Sequence, residues 1–270
     1  MKLLKSLQTF VFVVLFAASL MADRGMGDLR TAPPEGVSTD QIIQKFAAKE
    51  KEFKEARDHY TFRQTVIVNT LEDGTVDGEF RQISDIVFDD HGKRVENVTF
   101  APANTLSRVT MSQSDFDDIE KRLPFVLTSD DLAQYQVNYV GQQKIDEIDT
   151  YVFDVAPKQM EKNKRYFQGR IWVDGQDYQI VVTEGRNVPD IHKKSKEDLS
   201  PKFTTYREQI DGKFWFPTYT IADDTLHFTN QDVHIREVVK YTNYKRYGAE
   251  SKIIFEGEVP DTTPTPQKKK

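Results

Sequence analysis

None of the 270 residues is cysteine. That absence excludes disulfides, a thiol nucleophile and a lipid anchor on a processed N-terminal cysteine. Long apolar runs are missing too: the stretch from Leu7 to Met21 is shorter than the ~20 residues a helix needs to cross a bilayer. Basic charge is in deficit, with 37 Lys and Arg against 43 Asp and Glu, which argues against a general nucleic-acid binder. No G-x-S-x-G occurs, so the usual serine nucleophile turn is absent from the sequence.

What is present starts with an export signal. Lys2 and Lys5 form a positive n-region, Phe10 to Phe16 is an unbroken apolar run, and Ala17-Ala18-Ser19-Leu20-Met21-Ala22 supplies small residues for cleavage after Ala22. Removal of residues 1–22 takes away two lysines and leaves a more acidic chain. A cysteine-free exported protein of this length points to a bacterial periplasm, where a large core replaces disulfide staples. Aromatic residues are abundant, with 18 Phe and 11 Tyr, as a β-rich fold or an apolar cavity requires.

Residues 23–37, with Gly25, Gly27, Pro33, Pro34 and Gly36, read as a linker. Ser38 and Gln41 match a capping box, and Ile42, Ile43, Phe46, Ala47, Phe53 and Ala56 then fall on one face of a long amphipathic helix. From Tyr60 the period changes to two, with Phe62, Gln64, Val66 and Val68 on one face of a strand. The Asp73-Gly74 pair marks a hairpin turn into a second strand near Val76–Phe88, and Arg94–Phe100 forms a third.

Ser114 is expected to start a helix in the middle of the chain that carries Phe116, Ile119 and Leu123 and ends at Pro124. Strands then recur at Tyr135–Val140, Thr150–Val155, Phe167–Asp174, Tyr178–Glu184, Lys202–Ile210, Lys213–Ile221, Thr225–Thr229, Val233–Tyr247 and Lys252–Glu256. Residues 187–201 read as a charged loop, and residues 257–270 as a disordered Pro/Thr/Lys tail. Sequential hairpins of this number imply a mainly β fold: an open antiparallel barrel or a strongly curved sheet, with helices over its concave apolar face.

Two segments resemble the bacterial outer-membrane lipoprotein-sorting superfamily, the LolA-like periplasmic carriers. His59-Tyr60-Thr61-Phe62-Arg63-Gln64-Thr65 is similar to that family's first strand. Tyr151–Lys158, followed by Gly169-Arg170-Ile171-Trp172-Val173-Asp174, Ile180-Val181 and Gly185, is similar to its "G-x-I-W-V-D … I-V … G" strand pair. The resemblance spans residues 38–256, and the chain runs longer than the family's classical carrier after Gly185. It implies an incomplete barrel whose lidded cavity shields acyl chains of lipoproteins or other lipids in transit to the outer membrane, without catalysis or cofactor. It also implies donor and acceptor partners in the membrane or among envelope proteins. On this reading Phe62, Val66, Val68, Phe80, Ile86 and Phe88 line the cavity, and Phe116, Ile119, Leu123, Phe125 and Leu127 form the lid. Any single one of these reads more readily as ordinary core, and the cavity reading rests on the set. An envelope sensor or scaffold that binds a protein partner through the same fold is the alternative.

Other chemistry is sparse. His91 and His192 fall in a turn and a charged loop. His227 and His234 would face one another if Asn230-Gln231 were a two-residue turn, with Asp223, Asp224 and Asp232 nearby, but both alternate away from the apolar phase and read as solvent-facing rather than as a metal site or hydrolase base. Asp115, Asp117, Asp118 and Glu120 read as helix-start partners of the dipole. Lys193-Lys194-Ser195-Lys196 reads as solvated charge, and Phe214-Trp215-Phe216-Pro217 as a buried strand edge or the rim of a lipid mouth.

Overall fold

The computed structural model describes residues 25–247 apart from positions 90, 163, 194 and 195. The expected signal, the strand at Lys252–Glu256 and the tail lie outside these residues. Ten strands form a single antiparallel sheet. Its spatial order begins with β3 (Arg94–Phe100), β2 (Thr75–Phe88), β1 (Tyr60–Glu72), β12 (Asp232–Arg246) and β11 (Phe214–His227). It continues through β10 (Phe203–Ile210), β7 (Ile180–Val188), β6 (Tyr166–Asp174), β5 (Ile148–Pro157) and β4 (Tyr135–Ile145). Among the described residues β3 and β4 do not pair, so the sheet stays open. The last of the described strands, β12, lies at its middle, bonded to β1 on one side and β11 on the other.

Local chemistry accounts for these elements. The Asp73-Gly74 and Asp211-Gly212 pairs both adopt positive φ, the conformation that closes a two-residue hairpin in register with strand twist. Helix α1 (Thr39–Arg57) starts at the forecast capping box, with the Ser38 hydroxyl accepting from the Gln41 amide and the Gln41 side chain accepting from the Ser38 amide. Its face buries Ile42, Phe46, Ala47 and Phe53 against the sheet. Complete burial of each phenylalanine stabilises by roughly 1.5–3 kcal/mol.

Some expectations change. The segment after Gly185 is not a plain loop, because β7 continues to Val188 and β8 (Ile191–Lys193) pairs with β9 (Lys196–Asp198) in a small separate hairpin. Glu197 anchors that hairpin by accepting from the Thr229 amide and hydroxyl. The two strands expected at Lys213–Ile221 and Thr225–Thr229 are one, since β11 pairs with β12 without interruption from Tyr219 to His227. Residues 25–32, within the expected linker, lie along the outer edge of β4. Gly27 and Arg30 donate to the Lys144 and Gln142 carbonyls at 2.8 Å, and Tyr139 donates to the Ala32 carbonyl. A side chain at Gly141 would collide with the Arg30 carbonyl, so this close approach requires glycine.

One charged contact ties the layers together. Glu50 of α1 and Arg207 of β10 are both fully buried, and Nη1 of Arg207 donates to both Glu50 carboxylate oxygens at 3.0 and 3.1 Å. The other Arg207 terminal nitrogen donates to the Phe125 carbonyl, and Glu50 also accepts from the Ile180 amide. Removing one partner strands the other charge in the core, which costs about 3–5 kcal/mol. Arg207→Ala is therefore expected to lower unfolding stability by that amount in urea titration, while the paired replacement Glu50→Leu/Arg207→Met recovers most of it. A loss under 1 kcal/mol for Arg207→Ala would show that the contact does not hold the layers.

Candidate functional site

The covered face of the sheet carries a second layer besides α1. A lid begins with α2 (Gln113–Asp117), passes through a π-helical turn at Asp118–Arg122 and ends in extended chain near Leu127. Its start differs from the sequence expectation: the capping box is Ser112 with Asp115, two residues before Ser114, because the Ser112 hydroxyl and the Asp115 carboxylate reciprocally satisfy each other's amides. Its far end is pinned. Thr205 donates to the Leu123 carbonyl at 2.8 Å, Ser129 donates to the Ala47 carbonyl, and Phe125 stacks on Phe167 at 4.1 Å. At the near end Phe116 meets the edge of Phe80, at 5.7 Å.

Three cavities flank this lid. The first, about 370 Å³, lies between Leu123, Val68, Phe203, Leu226 and Ile235 and the segment 107–112. The second, about 470 Å³, is walled by Phe62, Phe88, Tyr241 and Tyr244, with Lys54, Arg57 and Lys121 at its borders. The third, about 390 Å³, sits under Phe116 and Ile119 over Val66 and Phe80. Each falls within the 300–1,000 Å³ range of small-molecule sites.

The structure separates the eleven sequence-predicted site residues. Phe62 and Phe88 line the second cavity, Val66, Phe80, Phe116 and Ile119 the third, and Val68 and Leu123 the first. One face of β1 thus feeds all three cavities in turn. Ile86, Phe125 and Leu127 line none of the three and are buried at 0%, 5% and 0% exposure; they are core.

Sequence reasoning missed the polar side of the first cavity. Glu237 of β12 points into it at 9% exposure, between Ile235 and Val239 on the apolar phase of its strand. Burial, reinforced by Asp115 and Asp118, pushes its pKa up to about 8. Burial also raises Asp115 and Asp118, although Arg122 and Arg165 oppose the rise at Asp118. Arg165 bridges the lid to the β8–β9 hairpin, donating to Asp118 at 2.7 Å and to Asp198 at 2.6 Å. Asn187 beside them is fully buried; it lies close enough to Asp118 to favour the carboxylate, yet its amide makes no hydrogen bond of normal geometry. The available signal was a single acidic residue in the run Val233, Ile235, Glu237, Val239, Tyr241.

The histidine pair does not assemble. Phe228 donates to the Gln231 carbonyl and encloses Thr229-Asn230, one residue before the expected Asn230-Gln231 turn, so His227 lies opposite Asp232, and His234 opposite Thr225. His227 pairs with Asp232 at 2.9 Å and His234 with Asp223, both at the exposed surface. Among the described residues no group of three or more His, Asp and Glu side chains is placed to hold a metal ion. No helix among them is long and apolar enough to cross a membrane.

Taken together, these features define an open-sheet protein with a lid set between cavities. No protein-family model matches the chain, and a search of curated proteins returns no match. Solved structures give distant likenesses. A DUF1329 family protein from Desulfovibrio piger is 17% identical over 76% of this chain and 92% of its own, with a TM-score of 0.39. MucB is 9% identical over 74% and 92%, with a TM-score of 0.26. The MucA/MucB complex of Pseudomonas aeruginosa gives 10% identity over 75% and 100%, with a TM-score of 0.20. Likenesses this remote leave the functional argument to the site itself.

Glu237 makes stability depend on pH. Its folded pKa lies above the ordinary 4.5, so the folded state holds a proton that the unfolded chain releases. Stability from this group is complete below about pH 4.5 and is lost as pH rises through about 8. Glu237→Gln is expected to match wild type in melting temperature near pH 4.5 and exceed it increasingly up to pH 8–9. Parallel melting curves across that range would refute the assignment.

Proposed function

We propose that this protein is a non-catalytic periplasmic carrier that shelters acyl chains of lipoproteins or other lipids beside the lid during transfer to the outer membrane. The supporting observation is the lid itself: a segment pinned at 123–127, tied to the β8–β9 hairpin through Asp118 and Arg165, and lying among three cavities that each include apolar side chains of the sheet. Burying an acyl chain yields about 0.8 kcal/mol per CH2, so a long chain supplies on the order of 10 kcal/mol without bond chemistry. The exported, acidic, cysteine-free sequence suits that task, and donor and acceptor partners would lie at the two membranes.

A second reading, a sensor or scaffold for an envelope protein, draws on a different observation. β3 is a sheet edge with no further strand beside it among the described residues, and it exposes Val95, Val98 and Phe100. Such edges accept an added strand from a partner.

The test is an organic-solvent extract of the purified protein, analysed by mass spectrometry. Stoichiometric phospholipid or acylated peptide is expected; a clean extract with no displacement of a fluorescent fatty-acid probe would transfer the assignment to the scaffold. Phe88→Glu, at a cavity wall, is expected to weaken probe binding at least tenfold while the protein stays folded. Ile86→Glu, two residues away in the core, is expected to unfold it. Unfolding by both would place Phe88 in the core as well.

A further inference from the structure

The first cavity is unlike the other two in its charge. Glu237 is nine-tenths buried, faces the cavity, and among the described residues neither accepts a hydrogen bond nor meets a cation. An isolated carboxyl on an otherwise apolar strand face costs stability unless something partners it. The groups around it deepen the imbalance. From the lid come Asp115, held only by its capping box, and Asp118, paired with Arg122 and Arg165. From β9 comes Asp198, paired with the same Arg165. Arg108, on the cavity's outer wall, is engaged by Asp77. Glu197 of β9 also lines the cavity, accepting from Thr229 and paired with His192. Five carboxyls therefore face it against the guanidinium groups of Arg122 and Arg165, and Val68, Phe203, Leu226 and Ile235 form the apolar part of its wall.

Building on the carrier reading, we propose that this cavity selects an amphiphile with a protonated amine, seating the ammonium on Glu237 beneath the lid and the tail against Leu226, Ile235 and Phe203. An organic cation fits better than a metal ion, since the carboxyls do not converge as a ligand set. A primary ammonium donates three hydrogen bonds and supplies the missing positive charge. The apolar wall contributes the tail's burial energy. Because Glu237 is mostly protonated at pH 7, seating an ammonium displaces its proton to solvent: the carboxylate forms, and close to one proton leaves per ligand bound. Affinity for the amine accordingly rises between pH 6 and pH 8.

The experiment is isothermal titration of the full exported protein with dodecylammonium, dodecanol and dodecanoate, each below its micelle concentration, in two buffers of different ionisation enthalpy. The expected result is at least tenfold tighter binding of dodecylammonium than of dodecanol, with proton release at pH 7. Glu237→Gln, which keeps the shape and removes the charge, is expected to bring the two affinities within threefold and abolish proton release, with dodecanol binding and melting temperature preserved or raised. Equal affinities in wild type, or a preference that survives Glu237→Gln, would overturn the amine assignment while leaving the carrier intact. Binding of none of the three would overturn the carrier reading and this proposal with it.

Discussion

The buried pair of Glu50 and Arg207 is the contact on which the architecture turns. It joins α1 to the middle of the sheet and, through the Phe125 carbonyl, fixes the end of the lid. Burial drives the Glu50 pKa upward, and the guanidinium and the Ile180 amide pull against it. The arginine also lies 5.1 Å from the centre of the Phe53 ring, so the cation is enclosed by aromatic as well as ionic partners. An apolar pair of similar volume would fill the same space. What the ion pair adds is direction: a guanidinium with fixed donors sets where the lid's carbonyl must sit, and with it the positions of the cavities on either side.

That fixed point divides the covered face into unequal environments. On one side lie aromatic walls bordered by lysine and arginine; on the other, an acidic floor around Glu237. The lid's two ends differ in the same sense. The 123–127 end is tied by hydrogen bonds to β10 and α1, whereas the start carries its own capping box, the Phe116–Phe80 ring contact and the Asp118–Arg165 ion pair.

Much of the scaffold was legible because it rests on local rules. The two Asp-Gly turns, the Ser38 capping box and the period-two runs of β1 and β6 each depend on a few neighbouring residues. The cavities were less legible, because alternation tells which face is inward and nothing about whether it is filled. Val66 and Ile86 have the same pattern, yet one borders a cavity and the other is solid core. The charged members of the site were hidden for a related reason. Glu50, Arg207 and Glu237 all stand in buried phases of their elements, and a reading that gathers only apolar residues passes over them. A charge in an apolar phase was the available signal. The histidines were legible by the same alternation: both fall out of the apolar phase, and both lie at the exposed surface.

The position of β12 carries a kinetic consequence. Residues 60–72 find their second neighbour only in residues 232–246, near the end of the described chain, and β11 meets the β1–β3 meander only through that same strand. Pairings so distant along the chain form slowly, because a long loop must close before any contact rewards it. Until β12 has joined, the β1–β3 meander and the β4–β7 meander with β10 and β11 are separate half-sheets, and the floor beneath the lid does not exist. Folding of this protein is thus gated by β12, the last of the described strands.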